Sequence, residues 1–146
     1  MKRSFLIFMI FIIAAPLSAQ SKIRIVKTYD APEAIGPYSQ AIESNGFIFL
    51  SGQIAIDPAT GQMEGKDIEK QTRRIFRNIK AVLKASGTKI SNVVKCTVFL
   101  SDMNDFAKMN EIYEEEFEGH KPARSTVQVA RLPRDAMIEI ECTAVK

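Results

Sequence analysis

The sequence predicts an α+β domain, a single β-sheet with two helices packed on one face. Strand-like and helical segments follow one another in the order β-β-β-α-β-α-β-β. Each helical segment carries one apolar stripe, so both helices must bury against the same layer. The stretch that holds these elements, roughly 125 residues, is long enough for one core and short for two. No internal repeat, linker or low-complexity tract divides it, and the domain is expected over 20–146, behind a leader at 1–19.

The elements follow in order. Ile23-Arg24-Ile25-Val26 reads as a short strand, and Ala31-Pro32-Glu33-Ala34-Ile35-Gly36-Pro37 as a loop whose backbone is held by its breakers. A strand from Tyr38 to Glu43 runs into Asn45-Gly46 and then Phe47-Ile48-Phe49-Leu50. Asn-Gly between two such runs predicts a hairpin, because both residues accept the positive φ of a type I′ turn. Ser51-Gly52-Gln53 closes the hairpin, and Asp57-Pro58-Ala59-Thr60-Gly61 is a surface turn.

Ile68, Ile75, Phe76, Ile79, Val82 and Leu83 recur at helical spacing, with Asp67 placed to cap the start and Gly87 the end. Val93 to Leu100 is the next strand. A second helix starts near Asn104 or Asp105 and aligns Phe106, Met109, Tyr113 and Phe117, with Glu114-Glu115-Glu116 on a solvated face. Strands near Ser125–Val129 and Met137–Val145 end the chain. Two helices on one face leave the other face open, and there Thr97, Phe99, Glu139, Glu141 and Thr143 mix apolar with charged groups. That face is expected to pack on a partner subunit, its polar groups lining a cleft at the interface.

The first nineteen residues look foreign to the domain. Lys2 and Arg3 precede an apolar run from Phe5 to Ala15, and small residues end it at Ala19. This is the layout of a cleaved secretory signal peptide, and it predicts a periplasmic or secreted protein. The run is shorter than the ~20 residues that span a bilayer, so no stable membrane association is expected once the leader is cut. Taking Lys2 and Arg3 from the formal net charge of +3 leaves +1. Nucleic-acid binding, which usually shows as a strongly basic face, is therefore not expected.

Cys96 and Cys142 are both read as core-facing strand residues. Two buried free thiols are expected, and a bridge would require their strands to be neighbours in register. His120 is the only histidine and no ligand spacing is present, so no metal is expected.

Arg124, in Pro122-Ala123-Arg124-Ser125-Thr126-Val127, is the leading candidate for ligand binding. Its planar, permanently charged fork pairs two-pronged with a carboxylate. Past Ala130-Arg131-Leu132-Pro133-Arg134-Asp135, chain reversal is expected to bring Glu139 close, as the group that handles a proton or a water. Spacing alone also allows an ordinary interface arginine and an exposed strand glutamate. Ser51 has no His or Asp nearby in sequence that would make it a triad nucleophile.

Ala34-Ile35-Gly36-Pro37-Tyr38-Ser39-Gln40, Ser51-Gly52-Gln53-Ile54, Lys95-Cys96-Thr97-Val98-Phe99-Leu100 and the block from Pro122 to Glu141, taken in order, resemble the RidA/YjgF family of reactive-intermediate deaminases. The resemblance covers essentially all of the chain after the leader. It implies the chorismate-mutase-like (YjgF-like) α+β fold, with a mixed sheet, and a homotrimer whose sheets line a central barrel with ligand clefts between subunits. It further implies hydrolysis of 2-aminoacrylate, 2-iminobutanoate and 2-iminopropanoate to 2-oxo acids and ammonia, without cofactor or metal.

Under that resemblance Arg124 matches the carboxylate-binding arginine and Glu139 the acid that positions water. Tyr38, Ser51, Gly52, Asn110 and Thr126 match substrate-binding positions. Thr126 stands where the best-known members carry a cysteine, which removes a reactive thiol and alters the pocket's shape. An export leader sits oddly with substrates that arise on mostly cytoplasmic enzymes. The alternative expectation is therefore an exported, non-catalytic binding protein that takes small carboxylates in the same cleft.

Overall fold

In the computed structural model, which describes residues 23–146, strands form at Arg24–Val26 (β1), Ala41–Ser44 (β2), Phe47–Gln53 (β3), Val93–Leu100 (β4), Ala123–Gln128 (β5) and Ile138–Val145 (β6). Helices form at Ile68–Ser86 (α1) and Phe106–Glu116 (α2). The predicted leader at 1–19 lies outside the described residues. The element order is the expected one, and the strands make one sheet in the order β1-β2-β3-β6-β4-β5. Every pair is antiparallel except β4 with β5, which the α2 crossover makes parallel, so the sheet is mixed.

Local chemistry explains most of the boundaries. Asn45 (φ 51°) and Gly46 (φ 79°) both adopt the left-handed backbone that the β2–β3 turn needs. The ladder starts at Ala41 rather than at Tyr38, because the preceding residues serve the loop. Buried Gln40 accepts from the Thr28 amide and donates to the carbonyls of Thr28, Ala31 and Pro32, which staples the Ala31–Pro37 segment onto the sheet. The Asp67 carboxylate caps α1 by accepting from Lys70 N at 3.1 Å, and Gly87 ends it at φ 80°. Removing that cap in Asp67→Ala is expected to cost about 1 kcal/mol, read as a lower denaturation midpoint with an unchanged slope.

The second helix differs from expectation at its start. A one-turn 3-10 helix at Met103–Asp105 precedes α2, and Asp102 caps it through Asn104 N at 2.9 Å; Asp105 makes no side-chain cap. Both helices lie on one face of the sheet. Ile75, Phe76, Ile79 and Leu83 of α1 bury against Ile48, Leu50, Val98, Leu100, Ile138 and Ile140 of the strands. Phe76 meets Tyr113 and Phe117 edge-on at 5.5 and 5.2 Å, which joins α1 to α2. Of the acidic run on α2, Glu114 and Glu115 are exposed as expected and Glu116 is half-buried; Glu115 and Glu116 pair with Arg73 and Lys80 of α1, and Glu114 lies 3.9 Å from Lys121.

Among the described residues, no helix covers the opposite face. A cross-strand row of Ile25, Ile42, Phe49, Thr143 and Lys95 crosses it, with Phe47, Phe99, Val127, Glu139 and Glu141 above and below. Phe47 and Phe49 stay 43% and 48% exposed with ring centroids 6.1 Å apart, so a contiguous apolar surface faces solvent.

Candidate active site

The residues proposed from sequence gather into two clusters, on opposite faces of the sheet. The first is built on the edge strand β5. Arg124 is the register partner of the buried Cys96, so its side chain rises on the helix face, beside α2. Phe106, Asn110 and Tyr113 stand on one side of α2 at helical spacing and receive it. The guanidinium lies over the Tyr113 ring at 4.4 Å and the Phe106 ring at 5.7 Å, and Nη2 donates to Asn110 Oδ1 at 2.7 Å. Two aromatic faces and an amide thus aim the fork while using few of its five donors. No carboxylate among the described residues is paired with it.

In front of Arg124 opens a cleft of about 340 Å³, lined by Asn110, Tyr113, Glu114, His120, Lys121 and Pro122. His120 is fixed there by a 2.6 Å hydrogen bond between its Nε2 and the Val93 carbonyl. Thr126, two residues on, shares the face of Arg124, and its hydroxyl is buried with no hydrogen-bond partner. Such an orphaned hydroxyl ordinarily finds a water or a ligand. An unpaired, preoriented guanidinium at the mouth of a polar cleft is what a small carboxylate requires.

The second cluster lies across the sheet. Glu139 is the register partner of Phe99, three residues on from Cys96, and so points to the open face. It rests on Gly52, where the β3–β6 register shifts between Leu50 and Gln53. A Cβ at residue 52 would sit 1.9 Å from Glu139 Oε1, so only glycine allows this approach. Ser51 Oγ donates to the Ser39 carbonyl at 2.7 Å, and its proton therefore serves the loop rather than a nucleophile. The Tyr38 hydroxyl accepts from Ile35 N at 3.3 Å and leaves the ring half-exposed.

Tyr38, Ser51, Gly52, Ile54, Pro133 and Glu139 line a cleft of about 260 Å³. Burial, with a smaller push from Glu141, holds the Glu139 carboxyl above the usual range of a glutamate. A carboxyl that keeps its proton to higher pH is suited to passing protons to and from a substrate.

The expectation that chain reversal brings Glu139 to Arg124 within one chain is therefore corrected. β4 lies between β5 and β6, and the two side chains differ in parity, so they leave the sheet in opposite directions. The aromatic platform was legible only in part. Phe106 and Tyr113 read as a core stripe, and nothing in their spacing signals that an arginine from a later strand stacks on them. Among the described residues, no group of three or more His, Cys, Asp or Glu side chains is placed to hold a metal ion.

The chain belongs to the RidA/YjgF family: the family model described as Endoribonuclease L-PSP matches residues 28–146. Among curated relatives, a RutC family protein of Pyrococcus horikoshii is 55% identical, over 84% of this chain and 97% of that protein. A mouse protein named 2-iminobutanoate/2-iminopropanoate deaminase is 46% identical, over 84% of this chain and 91% of its own. The crystal structure of Escherichia coli TdcF with bound serine superposes with a TM-score of 0.81 at 44% identity, over 84% of this chain and 98% of that one.

Proposed function

We propose that this protein hydrolyses 2-aminoacrylate-type enamines and their 2-imino acid tautomers to 2-oxo acids and ammonia, in clefts shared between the subunits of a homotrimer. The observation that carries the reading is the division of the site. One chain presents a carboxylate-binding half around Arg124 and a proton-handling half around Glu139, on opposite faces of the sheet. Neither half holds both the anchor and the water-handling group, and the apolar open face supplies a surface through which copies of the chain can associate.

Arg124 and Asn110 hold the substrate carboxylate and so fix the adjacent C=N carbon. Glu139, from the neighbouring subunit, positions the water that adds to that carbon, taking a proton as the C–O bond forms. It then returns the proton to nitrogen, the C–N bond breaks, ammonia leaves, and the carbonyl of the 2-oxo acid remains. Thr126 O and its orphaned hydroxyl give the water or substrate further polar contacts. The imine carbon is already electrophilic, so positioning and proton transfer suffice. The names of the mouse protein and of an Arabidopsis thaliana relative, Reactive Intermediate Deaminase A, 50% identical over 129 residues, support the reading.

The direct experiment generates 2-iminobutanoate in situ and follows 2-oxobutanoate. Acceleration over buffer is expected, and its absence would sink the assignment. A second reading, binding without turnover, draws on the serine held by TdcF, itself a small carboxylate. Calorimetry with 2-oxobutanoate separates the two, since binding with no hydrolysis favours this second reading. RNA cleavage, which the family description names, has no strongly basic chain behind it. Residues 1–19 are proposed to be removed on export to the periplasm or beyond, and the N-terminus of the recovered protein is then Gln20, read by mass spectrometry.

Glu139→Gln is expected to slow hydrolysis severely while leaving the fold intact. Its pKa is raised on folding, so the contribution it makes to stability is present below the unfolded value of about 4.3 and is lost as pH rises through the folded value. The variant escapes that loss. Its melting temperature should match or exceed that of the wild type at pH 7, with the difference shifting toward the wild type near pH 4. A wild type that gains on the variant as pH rises would contradict the assignment.

A further inference from the structure

Cys96 and Cys142 take no part in the chemistry above, yet the fold sets them face to face. They are direct register partners across β4 and β6, buried to 1% and 3% exposure, with their sulfurs 3.0 Å apart. The condition for a bridge, neighbouring strands in register, is met. The pair also sits directly beneath the Arg124 half-site. Arg124 is the register partner of Cys96 on its other side, and the buried phenol of Tyr113, the platform for the guanidinium, lies against Cys96.

The two thiols are unlike. The hydrogen bond from Cys142 holds Cys96 below the usual thiol range against the cost of burial, with Arg124 and Lys95 adding to the effect. The contact with Cys96, together with burial, holds Cys142 well above that range. One cysteine is suited to attack and the other to resolve.

We propose that Cys96 and Cys142 form a reversible dithiol–disulfide couple, closed by hydrogen peroxide or comparably small peroxides, in the layer that supports the carboxylate-binding arginine. The inference does not depend on the deaminase reading. The Cys96 thiolate attacks one peroxide oxygen, forming an S–O bond as the O–O bond breaks, and the departing hydroxide takes a proton to become water. Cys142 then attacks the sulfenic sulfur of Cys96. The S–S bond forms, the S–O bond breaks, and the second water carries off the Cys142 proton. Two thiols and one peroxide thus give one disulfide and two waters. Burial excludes bulkier oxidants: glutathione disulfide cannot reach either sulfur in the folded chain.

Closure changes the surroundings of Tyr113, because the Cys96 thiol beside its phenol becomes a disulfide sulfur. The chain has three tyrosines and no tryptophan, so its intrinsic fluorescence reports tyrosine. A disulfide formed against Tyr113 is expected to quench it.

The test treats the purified, reduced protein with hydrogen peroxide, denatures it, alkylates the free thiols and weighs it. The expected result is joint loss of both alkylation sites, a linked peptide pair containing Cys96 and Cys142, and a drop in tyrosine emission. Dithiothreitol added under denaturing conditions should restore both alkylation sites, and refolding should restore the emission; glutathione disulfide added to the folded protein should produce none of the three changes. In Cys142→Ser the resolving thiol is gone, and a sulfenic-acid trap such as dimedone, added as the peroxide-treated protein is denatured, should label Cys96, which it does not label in the wild type. Two alkylatable thiols after peroxide, over-oxidised Cys96 beside a free Cys142, or a bridge between two chains on a non-reducing gel would each overturn the proposal. The wild-type measurement decides even if the variant folds poorly.

Discussion

Arg124→Ala is expected to lower kcat/KM for 2-iminobutanoate by about 100-fold or more. The estimate rests on losing two charge-assisted hydrogen bonds to one carboxylate, at roughly 1.5–3 kcal/mol each, with tenfold in rate per 1.36 kcal/mol. Arg124→Lys keeps the charge but loses the fork and the stacking on Tyr113, and should fall between the variant and the wild type. Asn110→Ala frees the guanidinium from its orienting bond and should cost less than either. Stability should change little, because the cation–aromatic contacts at a half-exposed site contribute about 1 kcal/mol. Steady-state kinetics beside a thermal melt separates these effects. Unchanged kinetics in Arg124→Ala would remove the anchor from the mechanism.

Gly52→Ala is the second large effect. One methyl at 1.9 Å from Glu139 Oε1 cannot be accommodated in place, so either the carboxylate swings away or β3 shifts against β6. The variant should lose roughly 1–3 kcal/mol of stability as an overpacked site. It should also lose most of its activity, because the proposed mechanism needs the Glu139 carboxyl where Gly52 now lets it lie. The double variant Gly52→Ala, Glu139→Ala distinguishes the two consequences. Removing the carboxylate relieves the clash and should return much of the stability while activity stays lost. A double variant as unstable as Gly52→Ala alone would mean that the glycine is required for some other reason.

Much of the fold was legible because local chemistry repeats it. Asn45-Gly46, Asp67 and Gly87 each act within a few residues, and the structure uses them as their side chains and backbones dictate. Boundaries slipped where a residue's role was tertiary. Gln40 reads as a strand residue, yet it is spent on tying down a loop twelve residues earlier. Strand alternation already put Glu139 on the open face beside Phe99, as the structure has it, but the face of Arg124 on its edge strand was not legible from sequence spacing. Whether Glu139 meets Arg124 depends on β4 entering between β5 and β6, a long-range pairing that no turn signal encodes. The ordered motifs implied clefts between subunits, and the opposed faces give a physical reason why one chain alone leaves the site divided.

That division is the central claim, and mixing two inactive variants tests it most directly. Arg124→Ala and Glu139→Gln, each expected to be severely impaired alone, are unfolded together and refolded as mixed trimers. In a closed ring where each cleft takes Arg124 from one subunit and Glu139 from the next, every mixed trimer regains one intact cleft of three. Random assembly from equal amounts then restores roughly a quarter of wild-type activity. Mixed trimers, verified by mass spectrometry, that remain as inactive as either parent would contradict a site shared between subunits.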